Sequence, residues 1–284
     1  MKKIAKDELR PLSKRSKHTN KYDYGHVLIF GGSIGFFGAP ALSALAAYRA
    51  GSGLVSIALE EDDYAFYVNM NPEVMVKRYI DIEEVEKMLE NKDAVLFGPG
   101  LADNLMNERI LKLLLRKNIP LVIDATGLTI LKKVGLGKRF DHVILTPHMG
   151  EARRLLESEE PAKEVSTLTS LGATVVLKDA VTAIYTKQFE GQLDYGHPGM
   201  AKAGSGDVLA GIIASLLGQK YSLFDAAKYG VYLHQIAGQI AVENAESIAS
   251  SPPISSTLLA QRFIEAINNL FCLRALFRFP FIFL

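Results

Sequence analysis

Short apolar runs alternate with helical patterns along most of the chain, and this alternation most constrains the fold. Each run is rich in Val, Ile and Leu and is largely unbroken by polar residues. Strands of this kind are buried on both faces, as in a parallel sheet that helices cover on either side. We therefore predict an α/β fold with a mostly parallel central sheet flanked by helices. The predicted strands lie at 26–30, 53–59, 94–98, 120–124, 142–146, 174–178 and 182–186.

Helical periodicity separates most of these runs and dominates the last third of the chain. Only residues 179–181 join the runs at 174–178 and 182–186, which predicts an antiparallel hairpin at one edge of the sheet. No repeat, low-complexity tract or long linker interrupts the pattern, so we expect one domain over residues 1–284. The predicted helices lie at 39–51, 82–91, 107–118, 151–158, 207–218, 222–246 and 256–270.

Charge and cysteine content narrow the function classes. A formal net charge of +1 gives no reason to expect a nucleic-acid surface or an acidic partner. The single cysteine, Cys272, excludes an internal disulfide and a cysteine-based metal site, which fits a reducing cytosol. The basic segment 1–26 lacks the apolar core and cleavage site of a signal peptide, so we expect a cytoplasmic protein without a targeting segment.

Residues 270–284 form an apolar, phenylalanine-rich carboxyl end of atypical composition. The segment is shorter than the ~20 residues that a membrane-spanning helix needs, and Arg274, Arg278 and Pro280 interrupt it. We expect no membrane span there and give the segment no part in the chemistry. Docking on a neighbouring subunit and an altered terminus both stay open.

Glycine and small polar residues follow four of the predicted strands, and a similar segment follows the hairpin. In open α/β sheets, ligands bind outside the carboxyl ends of the strands. We therefore predict that these segments converge on one ligand site. They are GGSIGFFGA (31–39), GPGL (98–101), DATGL (124–128), TPHMGE (146–151) and PGMAKAGSGD (198–207).

Asp207 follows Gly204, Ser205 and Gly206 at the predicted start of a long apolar helix. One interpretation is an N-cap, whose carboxylate accepts hydrogen bonds from the free N–H groups of the helix. The other is a base beside a phosphate site, because the same N–H groups and the helix dipole attract anions. The convergence of the glycine-rich segments favours the phosphate site.

Other motifs leave alternatives open. Residues 31–44 invite a dinucleotide fingerprint, but their glycine spacing differs from it, and no Walker loop is present. His148 is either a solvated loop residue or a substrate contact, and Asp124 either serves a ligand or a metal or caps the next turn. His234 lies in an Ala- and Gly-rich helical segment, where we assign it to packing.

The glycine-rich segments, together with TVVLK (174–178) and GVYLHQIAGQIA (230–241), resemble a known family in their order along the chain. The family is the ATP- or ADP-dependent NAD(P)H-hydrate dehydratases, which have the ribokinase-like fold, and the resemblance covers residues 20–268. It implies repair of hydrated NADH or NADPH, with ATP or ADP as phosphoryl donor and Mg²⁺ as cofactor. It also implies a homo-oligomer, a tetramer in the family. From the net charge and the lack of a membrane-spanning segment, we expect neither nucleic acid nor a membrane as partner.

The resemblance further implies roles for single residues. Ala39 and Gly100 match contacts to the hydrated dinucleotide, and His148 matches the family's substrate-binding histidine. Asp207 matches the catalytic carboxylate, which also contacts the substrate. No residue is indicated as a metal ligand.

A second set of positions matches the family's nucleotide site. Gly206 matches its phosphate contact. The predicted anion hole consists of the backbone N–H groups of Ala203, Gly204, Ser205 and Gly206. The segment along the adenosine nucleotide consists of Lys178, Asp179, Ala180, Val181 and Thr182.

Two positions depart from the family pattern. Thr126 stands where the family often has a second acid, and Asp179 stands where a glycine is usual.

Two other functions stay open. A small-molecule kinase of the same fold would share the Gly-Ser-Gly-Asp motif but needs a smaller cavity beside it. A nucleotide-binding protein without catalysis is the other alternative, and the presence of Asp207 disfavours it.

Overall fold

The computed structural model describes residues 1–5, 16–60, 67, 72–136 and 139–246, with side chains described as far as residue 241. Ten strands run through these residues. They are β1 (Lys2–Lys3), β2 (His26–Phe30), β3 (Leu54–Leu59), β4 (Met75–Arg78), β5 (Ala94–Phe97), β6 (Leu121–Ile123), β7 (Val143–Leu145), β8 (Thr174–Leu177), β9 (Thr182–Tyr185) and β10 (Glu190–Leu193).

The ten strands form one mixed sheet. Their order from edge to edge is β1-β10-β9-β8-β7-β6-β5-β2-β3-β4. Strand β9 pairs antiparallel with both β8 and β10, and the other neighbours pair parallel. The carboxyl ends of β2, β5, β6, β7 and β8 therefore lie at the same side of the sheet, which we call the carboxyl edge. The opposite side, where these strands begin, is the amino edge.

Helices lie in several of the connections between strands, and two long helices follow the last strand. They are α1 (Gly38–Arg49), α2 (Ile82–Leu89), α3 (Leu105–Leu114), α4 (Thr126–Val134), α5 (Met149–Leu156), α6 (Pro161–Glu164), α7 (Ser166–Ser170), α8 (Ser205–Gly218) and α9 (Leu223–Glu246). Short 3-10 turns lie at Lys21–Tyr24 and Pro198–Met200.

Polar caps explain where several helices begin. The Asp81 carboxylate accepts a hydrogen bond from the Glu84 N–H at 2.8 Å at the start of α2. The Asn104 side chain accepts one from the Asn107 N–H at 2.9 Å at the start of α3. Each cap satisfies an N–H that has no acceptor inside its helix.

The sheet separates two apolar cores. Helices α1, α8 and α9 cover one face, and α2, α3, α4, α5 and α7 cover the other. Central strands such as β2 and β5 are buried along almost their whole length, as expected for strands covered on both sides.

A close crossing of α1 and α8 fixes the first turn of α8. A Cβ added to Gly211 would overlap the backbone carbonyl of Ser43, so glycine lets the two helices approach. The Ser43 hydroxyl also donates to the backbone carbonyl of Asp207 at 2.9 Å. The position of Asp207 is therefore set by packing against α1.

The predicted architecture is confirmed, with added elements and several shifted helix boundaries. Helices α4, α6 and α7 were not predicted, and α3 and α5 begin at Leu105 and Met149 rather than at residues 107 and 151. All seven predicted strands are present, and the hairpin of β8 and β9 is antiparallel, although β10 and β1 lie outside it. Strands β1, β4 and β10 were not predicted, and α8 begins at Ser205 rather than at residue 207. The predicted helix at 256–270 and the apolar segment 270–284 lie outside the described residues.

The single domain over 1–284 stays a prediction. Among the residues that the structure describes, no helix has both the length and the apolar character to cross a membrane.

Candidate active site

Backbone hydrogen bonds join the segments that follow the parallel strands. The Gly32 N–H donates to the Pro99 carbonyl at 2.9 Å, which connects the segments after β2 and β5. The Lys178 N–H donates to the Pro147 carbonyl at 2.8 Å, which connects the segments after β8 and β7. The glycine-rich segments therefore meet at the carboxyl edge, as their placement after the strands predicts.

Ala39 and Gly100, the predicted dinucleotide contacts, lie side by side. Gly100 has a φ of +66°, and a Cβ there would overlap the carbonyl of Phe36 and lie 3.3 Å from the Ala39 Cβ. The Ser33 hydroxyl donates to the Gly100 carbonyl at 2.8 Å and holds the two segments together. Only glycine fits at residue 100 without moving the neighbouring segment.

Asp124 and Lys178 form a buried ion pair at the centre of this edge. The Lys178 Nζ lies 2.7 Å from Asp124 Oδ1, and the two side chains are 19% and 2% exposed. The Thr146 hydroxyl donates to the same carboxylate oxygen at 2.8 Å, and Lys178 Nζ also lies 4.0 Å from a Glu151 oxygen. Burial acts to lower the pKa of Lys178, but the surrounding carboxylates outweigh burial and raise it. Lys178 is therefore a permanent positive charge.

Asp207 lies beside this ion pair in the first turn of α8. Burial, and next the charge of Asp124, raise the pKa of Asp207 to about 7, while Lys178 acts in the opposite direction. A carboxylate with a pKa near neutrality can both accept and release a proton at neutral pH. A carboxyl group whose pKa is shifted by burial together with a specific charged neighbour is a candidate functional residue.

Asp207 is not the N-cap of its helix, which corrects one of the two interpretations drawn from the sequence. The N-cap is Gly204, whose φ of +89° belongs to the left-handed region. Asp207 is the third residue inside α8, so its carboxylate is free for a role other than capping. The positive φ of this turn lies at Gly204, not at Gly206.

The start of α8 presents backbone N–H groups beside Lys178. The Val208 N–H donates to the Gly204 carbonyl at 3.1 Å, and N–H groups that precede this bond have no acceptor within the helix. The Ser205 N–H has a long bond of 3.4 Å to the Lys202 carbonyl. A Cβ on Gly206 would lie 3.3 Å from Lys178 Nζ. The predicted anion hole, residues 203–206, is therefore next to a cation.

His148 caps α5 and lies next to Lys178. Its Nδ1 accepts the Gly150 and Glu151 N–H groups at 3.0 and 3.3 Å, and Glu151 accepts the His148 N–H at 2.8 Å. Because Nδ1 is an acceptor, the ring proton of neutral His148 resides on Nε2. The side chain is 54% exposed, and a short parallel bridge joins His148 to Lys178.

The predicted nucleotide segment, residues 178–182, forms the turn between β8 and β9. Lys178 joins the ion-pair cluster, whereas Asp179 and Ala180 are exposed. The Asp179 carboxylate accepts the Ala180 N–H at 2.8 Å. Val181 is half-buried, and Thr182 is buried as the first residue of β9. The structure therefore brings Lys178 to the other site residues and leaves Asp179 at the surface.

Two contributors escaped the sequence-based prediction. Glu151 lies near Lys178 and completes the ion-pair cluster. It follows His148 by three residues, which is the spacing of a capping box, and this spacing could have indicated Glu151 from the sequence. His234 was assigned to packing, but its Nε2 lies 2.9 Å from the Ser205 carbonyl.

The described side chains at this edge do not form a complete metal-coordination site by themselves. In the described part of the chain, no three His, Cys, Asp or Glu residues are grouped as metal ligands. Asp124 and Glu151 already face the Lys178 ammonium. The site fits Mg²⁺ that a phosphate compound carries, since Mg²⁺ often keeps only one or two protein carboxylates beside phosphate oxygens.

Comparisons with known proteins agree on one family. A family model described as NAD(P)H-hydrate dehydratase matches residues 27–259. The ADP-dependent (S)-NAD(P)H-hydrate dehydratase of Staphylococcus aureus is 33% identical over 262 residues, which are 90% of this chain and 95% of that protein. The chain also matches the bifunctional NAD(P)H-hydrate repair enzyme of Coxiella burnetii at 34% identity and spans about half of its length, 49%.

Solved structures share the fold. A ribokinase-like superfamily protein from Enterococcus faecalis is similar with a TM-score of 0.83 and 28% identity, over 96% of both chains. The ADP/ATP-dependent NAD(P)H-hydrate dehydratase from Bacillus subtilis, co-crystallised with ATP and Mg²⁺, is similar with a TM-score of 0.77 and 25% identity. That likeness covers 96% of this chain and 98% of the other.

Proposed function

The chain belongs to the NAD(P)H-hydrate dehydratase family, and we propose that it removes water from hydrated NADH or NADPH with ATP or ADP as phosphoryl donor. The observation that carries this proposal is the placement of Asp207. Its carboxylate has a pKa raised to about 7 and lies at a helix start beside the Lys178 ammonium. A base, a cation and unpaired N–H groups are what phosphoryl transfer to a hydroxyl requires.

In the first step, the hydroxyl on the hydrated nicotinamide ring attacks the terminal phosphorus of the nucleotide. An O–P bond forms, and the bond from that phosphorus to the rest of the nucleotide breaks. Asp207 accepts the hydroxyl proton as general base. The N–H groups at the start of α8 stabilise the negative charge that develops on the phosphoryl oxygens.

In the second step, the phosphate ester eliminates inorganic phosphate from the ring. The ring nitrogen supplies the electron pair that breaks the C–O bond and expels phosphate. The adjacent carbon then releases a proton, which the departing phosphate takes up, and the dihydropyridine is restored. Phosphate is a far better leaving group than hydroxide, so the first step serves to activate the second. The same site on a stable alcohol would stop at the ester.

The substrate and the nucleotide occupy neighbouring parts of the carboxyl edge in this proposal. Ala39 and Gly100 contact the hydrated dinucleotide, and the Nε2–H of His148 donates to it. Residues 178–182 lie along the adenosine nucleotide, with Lys178 toward its phosphates. Support comes from the adjacency of Ala39 and Gly100 and of His148 and Lys178.

Mg²⁺ is the proposed cofactor and binds with the nucleotide phosphates. Glu151 and Asp124 are the carboxylates that would hold it through this chain. Bound Mg²⁺ would neutralise phosphate charge, which the protein otherwise meets with Lys178 and backbone N–H groups. A cytoplasmic location and a homo-oligomer, a tetramer as the family resemblance implies, stay predictions of the sequence.

Recovery of NADH from its hydrate tests the proposal directly. The purified protein is incubated with hydrated NADH, and separately hydrated NADPH, in the presence of Mg²⁺ and either ATP or ADP. We expect the dihydronicotinamide absorbance to return and phosphate to be released in equal amount. Absence of recovery with both nucleotides, together with phosphorylation of a small alcohol, would assign the protein to the kinases instead.

A further inference from the structure

His234 contacts the start of α8 from the neighbouring helix α9. Its side chain is 8% exposed, and its Nε2 lies 2.9 Å from the backbone carbonyl oxygen of Ser205 and 3.2 Å from the Ser205 hydroxyl. A carbonyl oxygen can only accept, so the ring proton resides on Nε2 and is donated to that oxygen. The contact between Nε2 and the Ser205 hydroxyl is longer than the contact with the carbonyl oxygen and is therefore the weaker one.

His234 is neutral at physiological pH. Burial, and to a smaller extent the charge of Lys178, lower its pKa to about 4, although the hydrogen bond to Ser205 acts in the opposite direction. A neutral ring retains one N–H and adds no charge to the cluster of Asp124, Lys178 and Asp207. Its effect on Ser205 therefore comes from hydrogen bonding rather than from charge.

The bond to the Ser205 carbonyl orients the N–H of the next residue. The carbonyl of Ser205 and the N–H of Gly206 belong to one planar trans peptide group, so they point in opposite directions. A donor that holds the oxygen toward α9 therefore turns the Gly206 N–H away from α9. Glycine has the most conformational freedom of any residue, and the first turn of a helix frays most easily.

Neighbouring residues of α9 hold the chain that leads into this turn. The Gln235 amide donates to the Leu193 carbonyl at 3.3 Å and accepts the Tyr195 N–H at 3.1 Å. Further along the chain, Met200 packs directly against Gly238. Helix α9 thus contacts the segment between β10 and α8 at its start and its middle, and His234 contacts its end.

We propose that His234 is a positioning residue that aims the Gly206 N–H at the phosphate of the bound nucleotide. The inference rests on the proposed function, in which Gly206 is the phosphate contact. It predicts that a donor at the position of Nε2 matters, rather than the volume of the imidazole ring.

Three substitutions separate the donor from the volume. His234→Leu fills space without a donor, His234→Asn has a donor that ends short of Ser205, and His234→Gln places an amide N–H near the position of Nε2. Binding of ADP in the presence of Mg²⁺ is measured by calorimetry. Since one net hydrogen bond corresponds to about a tenfold change in affinity, we expect the Leu and Asn variants to bind ADP about tenfold more weakly. The Gln variant should recover most of the loss.

A matched control and a kinetic readout make the outcome decisive. His142→Leu changes a histidine at the opposite end of the sheet and should leave ADP affinity unchanged. In turnover assays, His234→Leu and His234→Asn should raise the KM for the nucleotide, His234→Gln should stay close to the wild type, and the KM for hydrated NADH should be unchanged in all three. If His234→Leu does not fold, the Asn and Gln variants decide the question by the same comparison.

Wild-type affinity in the Leu and Asn variants would overturn the inference, and so would a Gln variant as weak as the Asn variant. A wild-type protein that binds neither ADP nor ATP would also overturn it. Because ADP binding is measured without hydrated NADH, failure of NADH recovery would count against the proposed function and leave the positioning role intact.

Discussion

The two edges of the sheet each hold an aspartate–lysine ion pair, but in different surroundings. At the carboxyl edge, Asp124 and Lys178 are 2% and 19% exposed. At the amino edge, Asp93 and Lys220 are 27% and 70% exposed. Interior charges interact more strongly than charges that water screens, so similar pairs have different consequences at the two edges.

The carboxyl edge has an excess of carboxylates, whereas the amino edge has an excess of lysines. Asp124 and Glu151 help to raise the pKa of Asp207. At the other edge, burial, Lys92 and Lys77 lower the pKa of His26 to about 4. Both edges thus disfavour charge on a buried group, and the carboxyl edge combines this with N–H groups at the start of α8 that have no acceptor within the helix. This difference is our reason for proposing chemistry at the carboxyl edge and a structural role at the amino edge.

The largest effect that we expect comes from Asp207→Asn. Asparagine keeps the shape of the side chain but cannot accept the hydroxyl proton. General-base catalysis is typically worth about 10²–10⁴-fold, so the kcat for NADH recovery should fall by at least about 100-fold. Asp93→Asn makes the same chemical change at the amino edge and should leave turnover unchanged.

Folding and nucleotide binding separate loss of the base from loss of structure in Asp207→Asn. The variant should melt as a folded protein and bind ADP at least as tightly as the wild type, because a negative charge near phosphate has been removed. Retention of most of the turnover would show that Asp207 is not the base.

A second prediction compares the two ion pairs through stability. Lys178→Met leaves the Asp124 carboxylate buried with Thr146 as its remaining partner, and breaking a buried pair costs about 3–5 kcal/mol. Lys220→Met breaks an exposed pair, which is worth about 0–1 kcal/mol. Urea unfolding at neutral pH measures both free energies of unfolding. Equal losses in the two variants would contradict the claim that burial distinguishes the edges.

The parts of the fold with a strong local pattern could be predicted from the sequence. Central strands are almost entirely apolar because helices cover both their faces: β5 has only apolar residues, and so does β2 after His26. Strand β10 escaped prediction because its sequence, EGQL, is short and its burial alternates. Strand β1 has only two residues, both exposed. Such strands are defined by their partners in the sheet rather than by their own composition.

The location of the candidate site could be predicted from the sequence, but the contacts among its side chains could not. Glycine-rich segments after parallel strands indicate where ligands bind. The pairing of Asp124 with Lys178 joins residues that are 54 positions apart, and nothing local to either residue specifies it. The contact of His234 is made to a backbone carbonyl, which every residue carries, so no sequence motif could have indicated it.

The smallest effect that we expect is a difference in how stability depends on pH. The pKa of Asp207 is raised from 3.8 to about 7, so the folded state binds this proton more tightly than the unfolded state. Its contribution to stability is present below pH 4 and is lost as the pH rises to about 7. The pKa of His26 is lowered from 6.5 to about 4, so its contribution is present above pH 6.5 and is lost as the pH falls to about 4.

Variants at the two edges should therefore change the pH profile in opposite directions. Between pH 4 and pH 8, the free energy of unfolding of Asp207→Asn should rise more steeply than that of the wild type, and the variant should be the more stable protein at pH 8. His26→Gln keeps a donor near Ser56, which lies 2.8 Å from the ring Nε2, but its profile should be flatter than that of the wild type. We expect differences on the order of 1 kcal/mol, because a pKa unit is worth about 1.4 kcal/mol and water screens part of each charge. Parallel profiles for both variants and the wild type would mean that neither edge couples protonation to folding, and the contrast between them would then rest on the ion pairs alone.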